Sequence, residues 1–312
     1  MRKPLSLALA AAMALPATAV LADYPNGPVQ FVVPWPPGDL EDVLTRMIAE
    51  DFQTAYGQPA AVVNRPGGGG GPFPGAVDVA MAPADGSVIG SFVIDVPLVG
   101  PYIGIPQLDP NPFEPVGIFL TYPFILATAA SAPFQTMDEL VSYAQDNEVL
   151  LGHFGAEIPP TAVTFALAAS LGFEWGEDAA YDALDCNTLA SGDVDVINTT
   201  IQLVLPCLDQ ITVLAAITPE RLPMAPDAPI VAELVPELTL TLWNGLFVHK
   251  DTPAEVRERI AAVAQETMMS ERAQDFAADT GAQVYWIDAA GANAVMARDA
   301  QSLARIEEML GD

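Results

Sequence analysis

Past its first two dozen residues the chain begins with a short apolar run, 29–34, in which Phe31, Val32 and Val33 leave no polar face. Such a run fits a strand buried on both sides in a parallel sheet. Over 39–56 the period changes, with Val43, Leu44, Met47, Ile48 and Phe52 recurring on one side of a helix. Residues 60–64 read as a second strand, 75–82 as a helix, and 87–93 as a third strand after the turn Pro83-Ala84-Asp85-Gly86. Strand, helix, strand, helix, strand at this spacing predicts a parallel sheet with helices on its faces. The apolar run 115–128 is interrupted at Tyr122 and Pro123 and reads as two strands or a crossing between domains. A second α/β unit follows, with helices over 136–145, 161–172 and 182–191 and strands at 150–154, 194–198 and 211–217. Residues 219–229 form a proline-rich surface loop and 240–250 a return strand, after which two helices, 253–269 and 289–309, close the chain. The expected organisation is two α/β domains, 23–122 plus 241–312 and 123–240, with a small-molecule cleft between them.

Charge narrows the partners. The chain has 11 Lys plus Arg against 40 Asp plus Glu, a net charge of -29, while 51% of it is hydrophobic. That hydrophobic share separates it from disordered acidic segments. A phosphate backbone or an anionic membrane surface would be repelled, so a nucleic-acid role is excluded as an expectation. Arg2 and Lys3, the apolar stretch from Leu5 to Leu15 and the small residues up to Ala22 match a secretory signal over 1–22, cleaved after Ala22 or Ala19. The stretch is shorter than the roughly 20 residues that span a bilayer, so no stable membrane insertion is expected after its removal. The expected compartment is the periplasm. There Cys186 and Cys207 are expected to pair, two buried thiols being the other arrangement. His153 and His249 lie far apart and no Cys/His cluster has ligand spacing, so neither metal nor cofactor is called for.

Two strand-to-helix turns are the places where chemistry would concentrate. The first, 34–42, is Pro-Trp-Pro-Pro-Gly-Asp-Leu-Glu-Asp, and the second, 153–163, runs from His153 through Gly155, Ala156 and Glu157 to Thr161. Turns at the carboxyl ends of parallel strands face the ligand crevice, and helix-start N–H groups attract anions. Asp39 and Thr161 are the residue types that cap the helices following them. The glycine run 67–71 allows close backbone approach, but it lacks the Gly-Lys-Ser/Thr ending of a nucleotide loop. No nucleophile elbow or zinc-protease motif occurs, so no enzyme chemistry is expected.

The same residues carry a resemblance. Tyr24, Pro25, Val33, Pro34, Gly38, Asp42 and Arg46, then Asn64, Arg65, Pro66, Gly67 and Gly70, then Pro83, Asp85 and Gly86 follow one family's order. Gly152, Gly155 and Tyr181 continue it, as do Thr218, Arg221, Pro226, Asp227, Pro229 and Glu233 and the segment 242–256. The chain thus resembles the extracytoplasmic solute-binding proteins of tripartite tricarboxylate transporters, the Bug receptors. The resemblance implies a type II-like two-domain periplasmic fold that closes on a small organic carboxylate and delivers it to membrane permease subunits. It also implies that two opposing turns hold the carboxylate through N–H groups, hydroxyls and waters. A secreted hydrolase with an unorthodox site and a periplasmic ligand-sensing adaptor are the competing readings.

On this basis the site is expected at Trp35, Pro36, Pro37, Gly38 and Asp39, facing Phe154, Gly155, Ala156 and Thr161. Gly69, Gly70, Asp95, Tyr181 and Asn198 are expected as further lining. Gly38 and Gly155 would donate backbone N–H groups, Trp35 and Phe154 would form apolar walls, and Thr161 would offer a hydroxyl. Asp39 stands where the family has a second glycine, Glu157-Ile158-Pro159-Pro160 replaces small and hydroxyl residues, and Asp182 replaces a common lysine. An inward Asp39 would require a cation, a protonated acid or a positively charged ligand group. An Asp39 that caps its helix would favour a less charged, more apolar acid, and this capping arrangement is the expected one.

Overall fold

The computed structural model describes residues 24–67, 71–181 and 183–311. The signal segment 1–22, Gly69, Gly70 and Asp182 lie outside the described residues. In chain order the first unit runs β1 (Val29–Val33), α1 (Leu40–Tyr56), β2 (Ala60–Asn64), α2 (Phe73–Ala80), β3 (Val88–Val93), α3 (Asp95–Leu98) and β4 (Phe113–Thr121). The second contains β5 (Phe124–Ala129), α4 (Met137–Ala144), β6 (Leu150–His153), α5 (Pro159–Leu171), β7 (Glu177–Ala180), α6 (Cys186–Ser191), β8 (Val196–Thr200), β9 (Ile211–Ile217) and α7 (Val231–Leu234). The chain returns through β10 (Trp243–His249) and ends with α8 (Ala254–Met268), α9 (Glu271–Thr280), β11 (Gln283–Asp288) and α10 (Ala289–Leu310).

These strands form two sheets, in the orders β11-β4-β10-β3-β1-β2 and β7-β6-β8-β5-β9. The fold is mixed α/β with two sheet-containing lobes, the arrangement of a type II periplasmic solute-binding protein. In the first sheet β1 is parallel to both β2 and β3, whereas β10 runs antiparallel to β3 and β4. In the second, β6 is parallel to β7 and β8, and β5 is antiparallel to β8 and β9. Pro123 cannot donate to a ladder, so the run 115–128 breaks there and changes sheet. The outgoing and returning chains lie side by side at this point, the Tyr122 N–H donating to the Leu242 carbonyl at 2.8 Å.

The helix faces are those their apolar positions specify. Leu44, Ile48 and Phe52 of α1 are fully buried against the first sheet. α10 packs on both β4 and α5 and so touches both lobes. Buried Trp243 donates its indole N–H to Asp299 of α10 at 2.9 Å, tying that helix to the return strand. Cys186 and Cys207 are joined, with Cα atoms 5.9 Å apart. In the chain-entropy account a bridge closing a loop of this size contributes about 3 kcal/mol.

Four expectations need correction. The helix expected over 75–82 begins earlier, at Phe73, with Pro74 in its first turn, where a missing N–H costs nothing. The helix expected from 161 likewise begins at Pro159. Residues 177–180 form an edge strand, and the helix expected from 182 starts only at Cys186; the sequence Glu-Asp-Ala-Ala is wholly exposed and carries no apolar alternation. The chain closes with three helices and a strand rather than two helices, because α9 is short and polar and β11 is mostly half-buried.

Candidate functional site

The first turn, between β1 and α1, is built around Asp42. Its carboxylate accepts from the Gly38 N–H at 2.8 Å, from Arg46 Nε and Nη2 at 2.9 Å each, and from Asn64 Nδ2 at 2.8 Å. Asn64 Nδ2 also donates to the Trp35 carbonyl at 3.0 Å, which ties the end of β2 to the same turn. Burial alone would raise the Asp42 pKa, but the bonds from Arg46, Gly38 and Asn64 outweigh it and hold the carboxyl below its ordinary value. Gly38 adopts φ 98°, a conformation that glycine reaches without a Cβ penalty.

Asp39 stands at the N-cap position of α1, yet its side chain accepts no capping hydrogen bond. The capping expectation is therefore overturned: Asp42 reaches back to the turn instead, and the Asp39 carboxylate remains free. Burial first, and the neighbouring Asp42 charge second, push the Asp39 carboxyl up. Glu41, in the first turn of α1, is buried and faces Tyr122, whose hydroxyl lies 3.0 Å from Glu41 Oε2 and 3.3 Å from Asn244 Oδ1. Burial and the Asp39 charge push Glu41 up to about 8. Asn244 Nδ2 and Thr45 Oγ1 both lie 2.8 Å from Ser91 Oγ. Asp95, just past β3, is buried as well, and burial pushes it up to about 7.

The second turn, between β6 and α5, has a different fastening. His153 is buried, its Nε2 2.8 Å from Asp178 Oδ1 while its Nδ1 accepts from the Gly155 N–H at 3.0 Å. That pair of contacts fixes the tautomer with the proton on Nε2. Pro159 and Pro160 occupy the first helical positions and carry no N–H, and the Thr161 and Ala162 N–H groups both donate to the Ile158 carbonyl. The N–H groups of Ala156, Glu157 and Ile158 have no acceptor among the described residues. The Thr161 hydroxyl is buried without a partner; it sits inside α5 and does not cap it, since Ile158 holds the cap position.

The two turns are linked through aromatic rings. Tyr122 packs edge-on against Phe124 at 6.2 Å, and Phe124 edge-on against Phe154 at 6.3 Å, so one ladder runs from the Glu41 partner to the second turn. Topology explains the convergence. β1 and β3 are parallel neighbours whose carboxyl ends carry Asp39 and Asp95, and antiparallel β10 brings Asn244 opposite Val93 at that same sheet edge.

Gly38 and Gly155, expected as free backbone donors, both have their N–H groups occupied, by Asp42 and His153. Pro36, Pro37 and Ala156 are exposed, and Trp35, Phe154, Gly155 and Tyr181 are partly so. The Trp35 indole N–H is buried without a partner. Tyr181 follows β7, its N–H on the His153 carbonyl at 2.8 Å. Asn198 is fully buried beneath α5, donating to the Pro160 carbonyl at 3.2 Å, with its Oδ1 unpartnered. Glu41, Tyr122, Ser91 and Asn244 were missed by sequence reasoning. Asn244 and Ser91 had a usable signal, being polar residues inside otherwise apolar strands, whereas an acid in a helix's first turn had none. Two hollows in the second lobe, of about 480 and 290 Å³, lie away from both turns, one near Gly172 and the other near Pro229.

The family model for the tripartite tricarboxylate transporter family receptor, TctC, matches residues 44–311. The chain belongs to this receptor family. A UPF0065 protein from the tcbD-tcbE intergenic region of a Pseudomonas species is 30% identical over 77% of this chain and 73% of its own length. Protein BugT of Bordetella pertussis is 25% identical over 85% of this chain and 84% of its own. Among solved structures, the R. palustris protein Rpa4515 with adipate superimposes with a TM-score of 0.80 at 23% identity, covering 93% of this chain and 99% of that one. MatC from Rhodopseudomonas palustris with bound malate gives 0.73 at 24% identity over 92% of this chain and 99% of its own. The tripartite tricarboxylate receptor described here therefore has the fold of periplasmic binding proteins, and no helix among the described residues is long and apolar enough to cross a membrane. In this receptor the motif residues Gly38, Asp42, Arg46 and Asn64 form one hydrogen-bonded clasp.

Proposed function

We propose that this receptor captures a small carboxylate-bearing solute in the periplasm, between lobes formed by residues 23–122 plus 241–312 and 123–240, and passes it unaltered to the membrane subunits of its transporter. The observation that carries this reading is the pair of strand-to-helix turns at the carboxyl ends of parallel strands, joined by the Tyr122, Phe124 and Phe154 ladder. Such ends are where open α/β sheets take ligands. The relatives solved with adipate and with malate support a carboxylate as the solute. The N–H groups of Ala156, Glu157 and Ile158 support the second turn as the carboxylate end. Trp35 and Phe154 would flank the apolar part of the solute.

Thermal unfolding of the mature protein against a library of dicarboxylates, aromatic acids and amino acids tests this. A ligand at one hundred times its Kd stabilises by about 2.7 kcal/mol, and mass spectrometry should recover it unchanged. Gly155→Val should lower affinity; a Cβ there meets only Ile158 Cγ2, at 3.9 Å, but φ 158° disfavours a side chain, so its unfolding is measured beside its affinity. Reproducible turnover of any bound compound would replace this reading with the hydrolase one.

A further inference from the structure

The first turn lacks what an anionic solute needs. Nine basic side chains remain beyond Arg2 and Lys3, eleven less two. Arg46 alone reaches this turn, and it is held by Asp42 and Asn64. Arg65, Arg221, Arg257, Arg272 and Arg298 pair with acids elsewhere, and Arg259 and Arg305 bond to the Tyr24 carbonyl and to Ser302. Lys250 follows the far end of β10, at the opposite sheet edge.

Against this absence of cations stand three carboxyl groups from two separate elements. Asp39 has no capping bond, and Glu41 meets the Tyr122 hydroxyl and its own backbone N–H but no cation. Asp95, on α3, is 5% exposed, and its carboxylate meets no hydrogen-bond donor from another described residue. Glu41 lies on the Tyr122 hydroxyl, Asn244 on the same hydroxyl stands opposite Val93, two residues before Asp95, and Asp39 precedes Glu41 by two residues, so the three acids lie at the carboxyl ends of β1 and β3. The remaining neighbours, Asn244 and Ser91, are neutral, and Asn244 has its amide N–H on Ser91 while its Oδ1 faces inward to Tyr122. A buried carboxyl without a donor is costly to leave in place. Protonation or an arriving cationic group relieves that cost, and the one Arg that reaches this turn is already held by Asp42 and Asn64.

We propose that the solute is a zwitterion, its ammonium group among Asp39, Glu41 and Asp95 at the first turn and its carboxylate on the free N–H groups of Ala156, Glu157 and Ile158 at the second. This rests on the carboxylate-receptor reading above and adds the opposite pole. The raised Asp95 and Glu41 carboxyls, at about 7 and about 8 without ligand, would give up a proton when an ammonium group arrives. The groups facing them are Asp39 and Asp42 on α1 and Tyr122 beyond β4.

The test is calorimetry on the mature wild-type protein with compounds matched except for the amine: glutamate and glutarate, aspartate and succinate, norleucine and hexanoate, phenylalanine and 3-phenylpropionate. At least one amine-bearing member should bind tenfold or more tighter than its match, and titrations at pH 7.5 in phosphate and in Tris should differ in heat by net proton release. Asp95→Asn and, separately, the more accessible Asp39→Asn should each reduce that preference tenfold while unfolding stays cooperative. A tighter amine-free acid, indifferent to both substitutions or dependent on added Mg2+ or Ca2+, overturns the zwitterion while leaving the receptor reading intact. Failure of every acid in both sets to bind overturns the receptor reading and the zwitterion with it.

Discussion

The two strand-to-helix turns proposed to hold the solute are fastened with opposite chemistry. At the first, a carboxylate holds the glycine N–H: Asp42 accepts from Gly38, Arg46 and Asn64. At the second, a neutral imidazole does so: His153 Nδ1 accepts from Gly155. The first turn is thereby left with the acceptors Asp39 and Glu41, with Asp95 beyond β3 beside them, and the second with surplus donors, the N–H groups of residues 156–158. The difference teaches that a glycine in a strand-to-helix turn does not imply a free N–H. What each turn offers is decided by which groups remain after the turn has been held together.

Removing either fastener should break the comparison. Asp42→Ala leaves the Gly38 N–H, Asn64 and the Arg46 guanidinium without their acceptor. Arg46 is 44% exposed on its side chain and can be solvated, so the expected loss is about 3 kcal/mol, below the upper range for a fully buried pair. Urea unfolding measures it, and a loss under about 1 kcal/mol would mean that the turn is held by something other than the clasp. His153→Ala should cost less, about 1 to 2 kcal/mol, because Asp178 is half-exposed and only the Gly155 N–H is stranded. Its affinity should fall more than its stability, whereas equal losses would place His153 in the scaffold alone.

The comparison can also be sharpened by pH. Glu41 and Asp95 have ordinary values of 4.5 and 3.8 and folded values of about 8 and about 7. Between those values the folded chain binds more protons than the unfolded one, so stability falls as pH rises from about 4.5 to 8. Asp42 has the reverse sign, its contribution being lost as pH falls through its depressed folded value. Melting temperature should therefore decline from pH 6 to pH 8.5, and Glu41→Gln should flatten the decline. An unchanged slope would show that the general acidic surface, rather than the first turn, governs it.

Most of the scaffold was legible because apolar period reports burial. Strands 29–33 and 88–93 and the helix 40–56 are buried on one or both faces, and their hydrophobic positions say so. The edge strand Glu177–Ala180 was not legible, since its residues are all exposed and its pairing to β6 is made by backbone groups common to every residue. The cystine was legible from compartment and count. Of the candidate site, Trp35, Asp39, Phe154 and Gly155 could be proposed from their turns, while Glu41, Tyr122 and Asn244 come from α1, the end of β4 and β10 and meet only through the sheet order.

The sequence by itself determined the α/β class, the change of sheet at Pro123 and the positions of both turns, because burial period and proline chemistry act locally. Only the tertiary structure decided that Asp42 rather than Asp39 holds the first turn, that both glycine N–H groups are occupied, and that Asp39, Glu41 and Asp95 lie at the same end of the first sheet. Hydrogen-bond partners 22 to 153 residues apart in the chain, such as Asn64 with Asp42 and Asn244 with Ser91, are selected by strand order and register. No local pattern encodes which of several acids will reach them.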